Sequence, residues 1–260
     1  MKSIFITGPG KCGETFFYNI FKKNKKINAY DERRPLLQAY YKFIKYNNIN
    51  IDDAPLFDEI KKEIIQSNKK NKIYLESSSY LSFHIIDLIN KFDSKIIVLL
   101  RNPRDVCLSL LKTGWYDKKY FKTSSSKILG YQGVAKSFYD KHHNFSRISP
   151  KGKFFFKWNN LDPLIKTKWY WDETYKEIFK SLKGVSKQKF RVIKIEEFNY
   201  QKYLEICKWL RIKPNLGEFS FNLRTKFVKN NNKNKINILN FKKLKRYESK
   251  IEKLFYKENL

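Results

Sequence analysis

The chain has 260 residues, of which 42% are hydrophobic and 17% aromatic. That is enough apolar material to bury a substantial core, and it excludes a compositionally disordered chain. No run of eighteen or more apolar residues occurs, which argues against a membrane-spanning helix, and the formal net charge of +30 fits either an anionic ligand or a nucleic acid.

The distribution of the charge favours the first. Lys supplies most of it, is spread along the chain and is accompanied by abundant Asn. Both residues have codons made only of A and T, so base-composition bias plus an anionic ligand accounts for the excess better than a dedicated nucleic-acid surface. Cys12, Cys107 and Cys207 are odd in number and far apart, which suits neither a disulfide framework nor a zinc site. The apolar run Ser3–Thr7 is too short for the core of a signal peptide and reads as the first strand of a cytoplasmic protein.

In chain order, a strand over 4–7 is followed by the turn Gly8-Pro9-Gly10-Lys11-Cys12-Gly13. A helix is predicted over 14–23, with Phe17, Ile20 and Phe21 on one face. Helices follow over 33–46 and 53–69, then a strand over 73–76 and a helix over 80–92. Lys95–Leu100 (KIIVLL) is an uninterrupted apolar run, as a central parallel strand requires. Pro103 opens a helix to about Lys112. Thr123–Ser126 reads as loop, 127–144 as helix and 146–160 as a basic, aromatic loop. A helix over 165–182, a strand over 190–195 and a helix over 200–210 come next. The polar stretch 230–235 and an amphipathic helix over 241–256 close the chain. Four strands alternating with helices predict a single domain, 1–260, of α/β class, with a central parallel sheet flanked by helices on both faces. Such sheets bind ligands beyond the carboxyl ends of their strands.

Two motifs fall at that place. In the first, small residues after a strand let backbone N–H groups approach an anion at a helix N-terminus. The P-loop signature G-x4-G-K-[ST] is met at Gly8, Gly13 and Thr15, but Glu14 stands where its lysine belongs and Lys11 precedes the second glycine. Glu14 also reads as an ordinary acid in the first turn of a helix. In the second, Arg101-Asn102-Pro103-Arg104-Asp105 leaves the strongest strand and opens a helix carrying Ser109. A guanidinium there can fork two phosphate oxygens.

Lys11-Cys12-Gly13-Glu14-Thr15-Phe16 resembles the 5′-phosphosulfate loop K-x-G-T-T-aromatic of sulfotransferases that use 3′-phosphoadenosine-5′-phosphosulfate (PAPS), with Glu14 replacing one threonine. The run from Arg101 to Ser109 resembles that family's 3′-phosphate segment, R-[ND]-P-R-D-x-x-x-S. Weaker resemblances lie at Glu76–Leu81, at Phe190–Phe198 and in the helix ending at Leu210. The resemblance implies a P-loop-NTPase-like sulfotransferase architecture and sulfonate transfer from PAPS to the hydroxyl of a carbohydrate or other metabolite, with PAP (3′,5′-adenosine diphosphate) released and no metal.

It also implies site residues. Gly10, Lys11, Cys12, Gly13, Glu14, Thr15 and Phe16 would form the donor loop, Arg101 and Ser109 would bind the 3′-phosphate, and Arg224, Lys226 and Lys229 would reach the donor from the C-terminal region. Lys11 would act in catalysis. For the general base, Glu32 is the first choice and Glu76 the second; a surface pairing of Asp31 and Glu32 with Arg33 and Arg34 stands beside that reading. Two alternatives of other classes stay open: a degenerate P-loop kinase or NTPase, and a basic nucleic-acid-binding protein.

Overall fold

The computed structural model describes residues 2–116 and 145–222. Their elements are β1 (Ser3–Thr7), α1 (Glu14–Phe21), β2 (Ile27–Asp31), α2 (Pro35–Asn47), α3 (Ala54–Lys69), β3 (Ile73–Ser77), α4 (Ile85–Phe92), β4 (Lys95–Leu100), α5 (Pro103–Lys112), α6 (Lys153–Asn159), α7 (Pro163–Leu182), β5 (Phe190–Lys194) and α8 (Tyr200–Leu210), with 3-10 turns at Ser79–Phe83 and Ile195–Glu197. The sheet runs β2-β3-β1-β4-β5, and every neighbouring pair is parallel. This is the α/β architecture with a central parallel sheet. The predicted segments 123–126, 127–144, 230–235 and 241–256 lie outside the described residues.

β4 explains why the sheet is central. Ile96, Ile97, Val98, Leu99 and Leu100 are all buried, between β1 on one side and β5 on the other. Burying each such side chain contributes about 1.5–3 kcal/mol. Helices cover the sheet, with α1 against β2 and β3, α3 against β3 and α7 against α5.

Four boundaries differ from the sequence reading, each for a local reason. β2 was not anticipated, because INAYD mixes Asn and Asp with its apolar residues; among the described residues it is an edge strand paired with β3 alone. The helix expected over 80–92 is divided in two. Ser78 caps the Ser79–Phe83 turn, its hydroxyl accepting from the Tyr80 amide, and α4 starts only after His84. A short helix, α6, occupies part of the expected loop 146–160. α7 begins at Pro163 because the Asp162 carboxylate caps it, accepting from the Leu164 amide at 2.8 Å.

The strand order places the crevice. From β1 the chain passes by way of α1 to β2 at one edge, whereas β4 lies on the other side of β1 and leads on to β5. The carboxyl ends of β1 and β4 therefore stand side by side at the switch of direction. Both motifs begin there.

Candidate active site

The loop after β1 is forced into shape by contacts too close for side chains. A Cβ on Gly8 would stand 3.0 Å from the Leu99 carbonyl oxygen. Gly10 (φ 95°) and Gly13 (φ 104°) take left-handed conformations, and so does Lys11 (φ 58°). A non-glycine residue in that region carries a penalty of about 1–3 kcal/mol. What holds Lys11 there is Arg101, whose Nη1 donates to the Lys11 carbonyl at 2.7 Å. The Lys11 side chain itself is exposed.

Glu14 turns back under this loop. Its buried carboxylate accepts from the Gly10 amide at 3.2 Å and the Cys12 amide at 2.9 Å. Burial pushes its pKa up, against the pull of those amides and of Arg101. Cys12 is fully buried beside Tyr175, and burial together with the Glu14 carboxylate holds its thiol well above the usual range, so it is not a thiolate nucleophile. Thr15 is exposed, and its hydroxyl hydrogen-bonds Asp31. Phe16 meets Phe17 and Phe198 edge-on, with ring centroids 5.7 and 6.1 Å apart.

The second motif is anchored by groups that sequence reasoning missed. Asn102 caps α5 by accepting from the Arg104 amide at 2.9 Å, and its own amide donates to Glu196 at 2.8 Å. The Arg101 amide donates to the Tyr175 hydroxyl at 3.3 Å, the Trp171 indole donates to the Arg101 carbonyl at 3.1 Å, and Tyr175 donates to Leu99 at 2.6 Å. Trp171 and Tyr175 lie four residues apart on α7, a helical spacing visible in the sequence but indistinguishable there from ordinary core packing. Ser109 is on α5, partly buried.

The two candidate bases have different surroundings. Glu32 follows β2 with φ 47°, donates its amide to the Ser77 carbonyl at 2.9 Å and accepts from the Ser79 hydroxyl at 3.2 Å. Burial, with the charges of Glu14 and Asp31 added, raises its pKa to about 7. Glu76 is buried and accepts from Gln38 Nε2 at 2.5 Å, Tyr74 Oη at 2.6 Å and the Arg33 amide at 3.0 Å. Its three partners belong to the scaffold. Arg33 and Arg34 form ion pairs with Glu63, and Arg34 also with Glu59, both on α3. His84 is buried between Asp87 and the Phe57 ring. Arg224, Lys226 and Lys229 lie outside the described residues.

Lys42, also missed, is buried on α2 four residues after the buried Gln38. Its ammonium donates to the Ser79 carbonyl at 3.1 Å and the Tyr170 hydroxyl at 3.0 Å, and Tyr170 donates to the Pro9 carbonyl at 2.6 Å. Ser79 is also the donor to Glu32, so one buried amine links Glu32 to the loop after β1. Burial lowers its pKa to about 7. Among the described residues, no three His, Cys, Asp or Glu side chains form a group that could hold a metal ion, and no helix is long and apolar enough to cross a membrane.

Residues 1–158 match the family model of the sulfotransferase domain. The chain belongs to the sulfotransferase family. The match takes in both strand-end motifs together with Glu32 and Glu76, while α7 and β5 lie beyond it. Sulfonate transfer is the activity of this enzyme class. Among solved structures, the chain is similar to the sulfotransferase domain from the curacin biosynthetic pathway (13% identity, 82% of this chain and 77% of that one, TM-score 0.49). It is also similar to a sulfotransferase from Alicyclobacillus acidocaldarius (14%, 84% and 84%, TM-score 0.47) and to the sulfotransferase domain of the Synechococcus PCC 7002 olefin synthase (11%, 82% and 77%, TM-score 0.47). No curated protein matches the chain.

Glu76→Ala leaves the Gln38, Tyr74 and Arg33 donors without their acceptor. We expect a loss of at least about 3 kcal/mol of unfolding free energy, read by urea denaturation. A variant of unchanged stability that has lost activity would instead make Glu76 the base.

Proposed function

We propose that this sulfotransferase uses PAPS and transfers its sulfonate to a hydroxyl-bearing acceptor, a carbohydrate or another metabolite. The observation that carries the reading is the Arg101–Lys11 hydrogen bond, which makes one site of the two strand-end motifs. The loop suits such a donor. Its Gly10 and Cys12 amides already take the oxygens of a carboxylate, which stand in for those of a phosphate.

In this reading the loop amides, Lys11 and Thr15 hold the 5′-phosphosulfate, Phe16 borders the adenine, and Arg101 with Ser109 reads the 3′-phosphate. When bound, PAPS supplies an activated sulfonate whose transfer leaves charge on a phosphate oxygen, as in phosphoryl transfer. The exposed Lys11 ammonium neutralises that charge in place. Glu32 takes the proton of the acceptor hydroxyl. Glu32 is preferred to Glu76 because a carboxylate with a pKa near 7 is matched to proton abstraction at neutral pH, and because the Glu76 oxygens are committed to three scaffold donors. The cytoplasmic setting belongs to the same proposal, supported by three buried cysteines, none of them in a disulfide.

Calorimetry with PAP, AMP and ATP tests the donor. Wild type should prefer PAP, and Arg101→Ala should lose most of that preference; equal affinity for all three nucleotides would overturn the reading. At saturating donor, kcat should rise with pH through about 7 as Glu32 loses its proton. Glu32→Gln should remove that limb and lower kcat by about 10²–10⁴-fold without weakening PAP. Wild-type turnover in this variant would discard the role.

A further inference from the structure

The loop that faces the anion has a carboxylate built into it. The Gly10 and Cys12 amides point at Glu14, and so does the Glu14 amide itself, while the Thr15 and Phe16 amides in the first turn of α1 have no acceptor inside the helix. An incoming phosphate that takes those amides shares one loop with Glu14. The carboxylate has little route to solvent: the side chain is buried, and one oxygen would stand 3.3 Å from a Cβ placed on Gly8, itself pressed against Leu99. Two like charges held this close in a poorly solvated site cannot both persist.

The groups that face Glu14 from the surrounding elements do not cancel this conflict. Among the described residues, Arg101, just after β4, and Lys42, from α2, act on Glu14 electrostatically, and the exposed Lys11 acts on the neighbouring Glu32. Lys42 is engaged with Ser79 and Tyr170, and Arg101 holds Lys11. Glu32 adds a second carboxylate. Cys12, Tyr80, Tyr170 and Tyr175 are protonated groups that Glu14 and burial keep protonated.

We propose that Glu14 makes anion binding at this loop a proton-coupled event: the phosphate-bearing ligand enters together with one proton from solvent, which settles on the Glu14 carboxyl. The inference rests on the donor reading for the identity of the ligand but not for the coupling. Donor affinity then falls as pH rises and Glu14 ionises in the free enzyme. Donor binding thus weakens in the same direction in which Glu32 becomes a better base, so the two carboxylates set opposite sides of the pH response.

The test is calorimetric titration of wild type and Glu14→Gln with PAP and with inorganic pyrophosphate, each from mildly acidic to mildly alkaline pH and in buffers of different ionisation enthalpy. Wild type should take up close to one proton at alkaline pH. Glu14→Gln should take up correspondingly less and bind both probes about tenfold tighter or better there, with the two proteins converging at acidic pH. Glu14→Thr is the second variant, with the same expectation if Glu14→Gln fails to fold. Equal proton uptake in wild type and variant, weaker binding by the variants, or no binding of either probe to any of the proteins overturns the proposal. If PAP binds no better than pyrophosphate while the uptake is still lost in Glu14→Gln, the donor assignment falls and the coupling stands.

Discussion

The hydrogen bond from Arg101 to the Lys11 carbonyl is the contact on which the site depends. Lys11 sits in a backbone region that its side chain disfavours, and the loop has no regular secondary structure to hold it. The guanidinium supplies that restraint from the neighbouring strand. One residue thereby shapes the loop after β1 and, in the proposed reading, stands where a second phosphate would be read. Arg101 is fixed in turn through its backbone, by Tyr175 and Trp171 of α7. A long helix outside the matched family region thus sets the geometry of a motif inside it.

Behind the loop lies a set of buried ionisable groups: Glu14, Glu32 and Lys42. Their pKa values all move in the direction that burial dictates, up for the two carboxyls and down for the amine. Neutral forms are thereby favoured in a region where single charges are costly. Glu32 and Lys42 thereby change protonation around neutral pH, at the place where, in the proposed reading, a proton leaves the acceptor. Ser79 and Tyr170 connect Lys42 to Glu32 and to the Pro9 carbonyl, so a change in any of the three is felt by the others.

Much of this could be read from the residues. KIIVLL declared the central strand because it is apolar on both faces, and the glycines and Pro103 marked the two strand-to-helix turns. β2 escaped because an edge strand with one partner carries no continuous apolar run. Lys42, Glu196 and the aromatic residues of α7 escaped for another reason: their roles come from contacts across the fold, and nothing local separates a buried lysine from a surface one. Glu14 was legible as a departure from a pattern, but its meaning needed the direction of its carboxylate. Arg33 and Arg34 show the opposite case. Adjacency in sequence allowed a pairing with Asp31 and Glu32, whereas the fold presents them to Glu59 and Glu63.

In the proposed mechanism the exposed amine of Lys11 meets the charge that develops when a sulfonate leaves its donor. Transfer of the label from sulfur-labelled PAPS to the acceptor in a single turnover, compared between wild type and Lys11→Ala, is the decisive measurement. Label transfer should slow by about 10²–10³-fold in the variant while its affinity for PAP changes far less. A variant that transfers the label at the wild-type rate would contradict the role of Lys11.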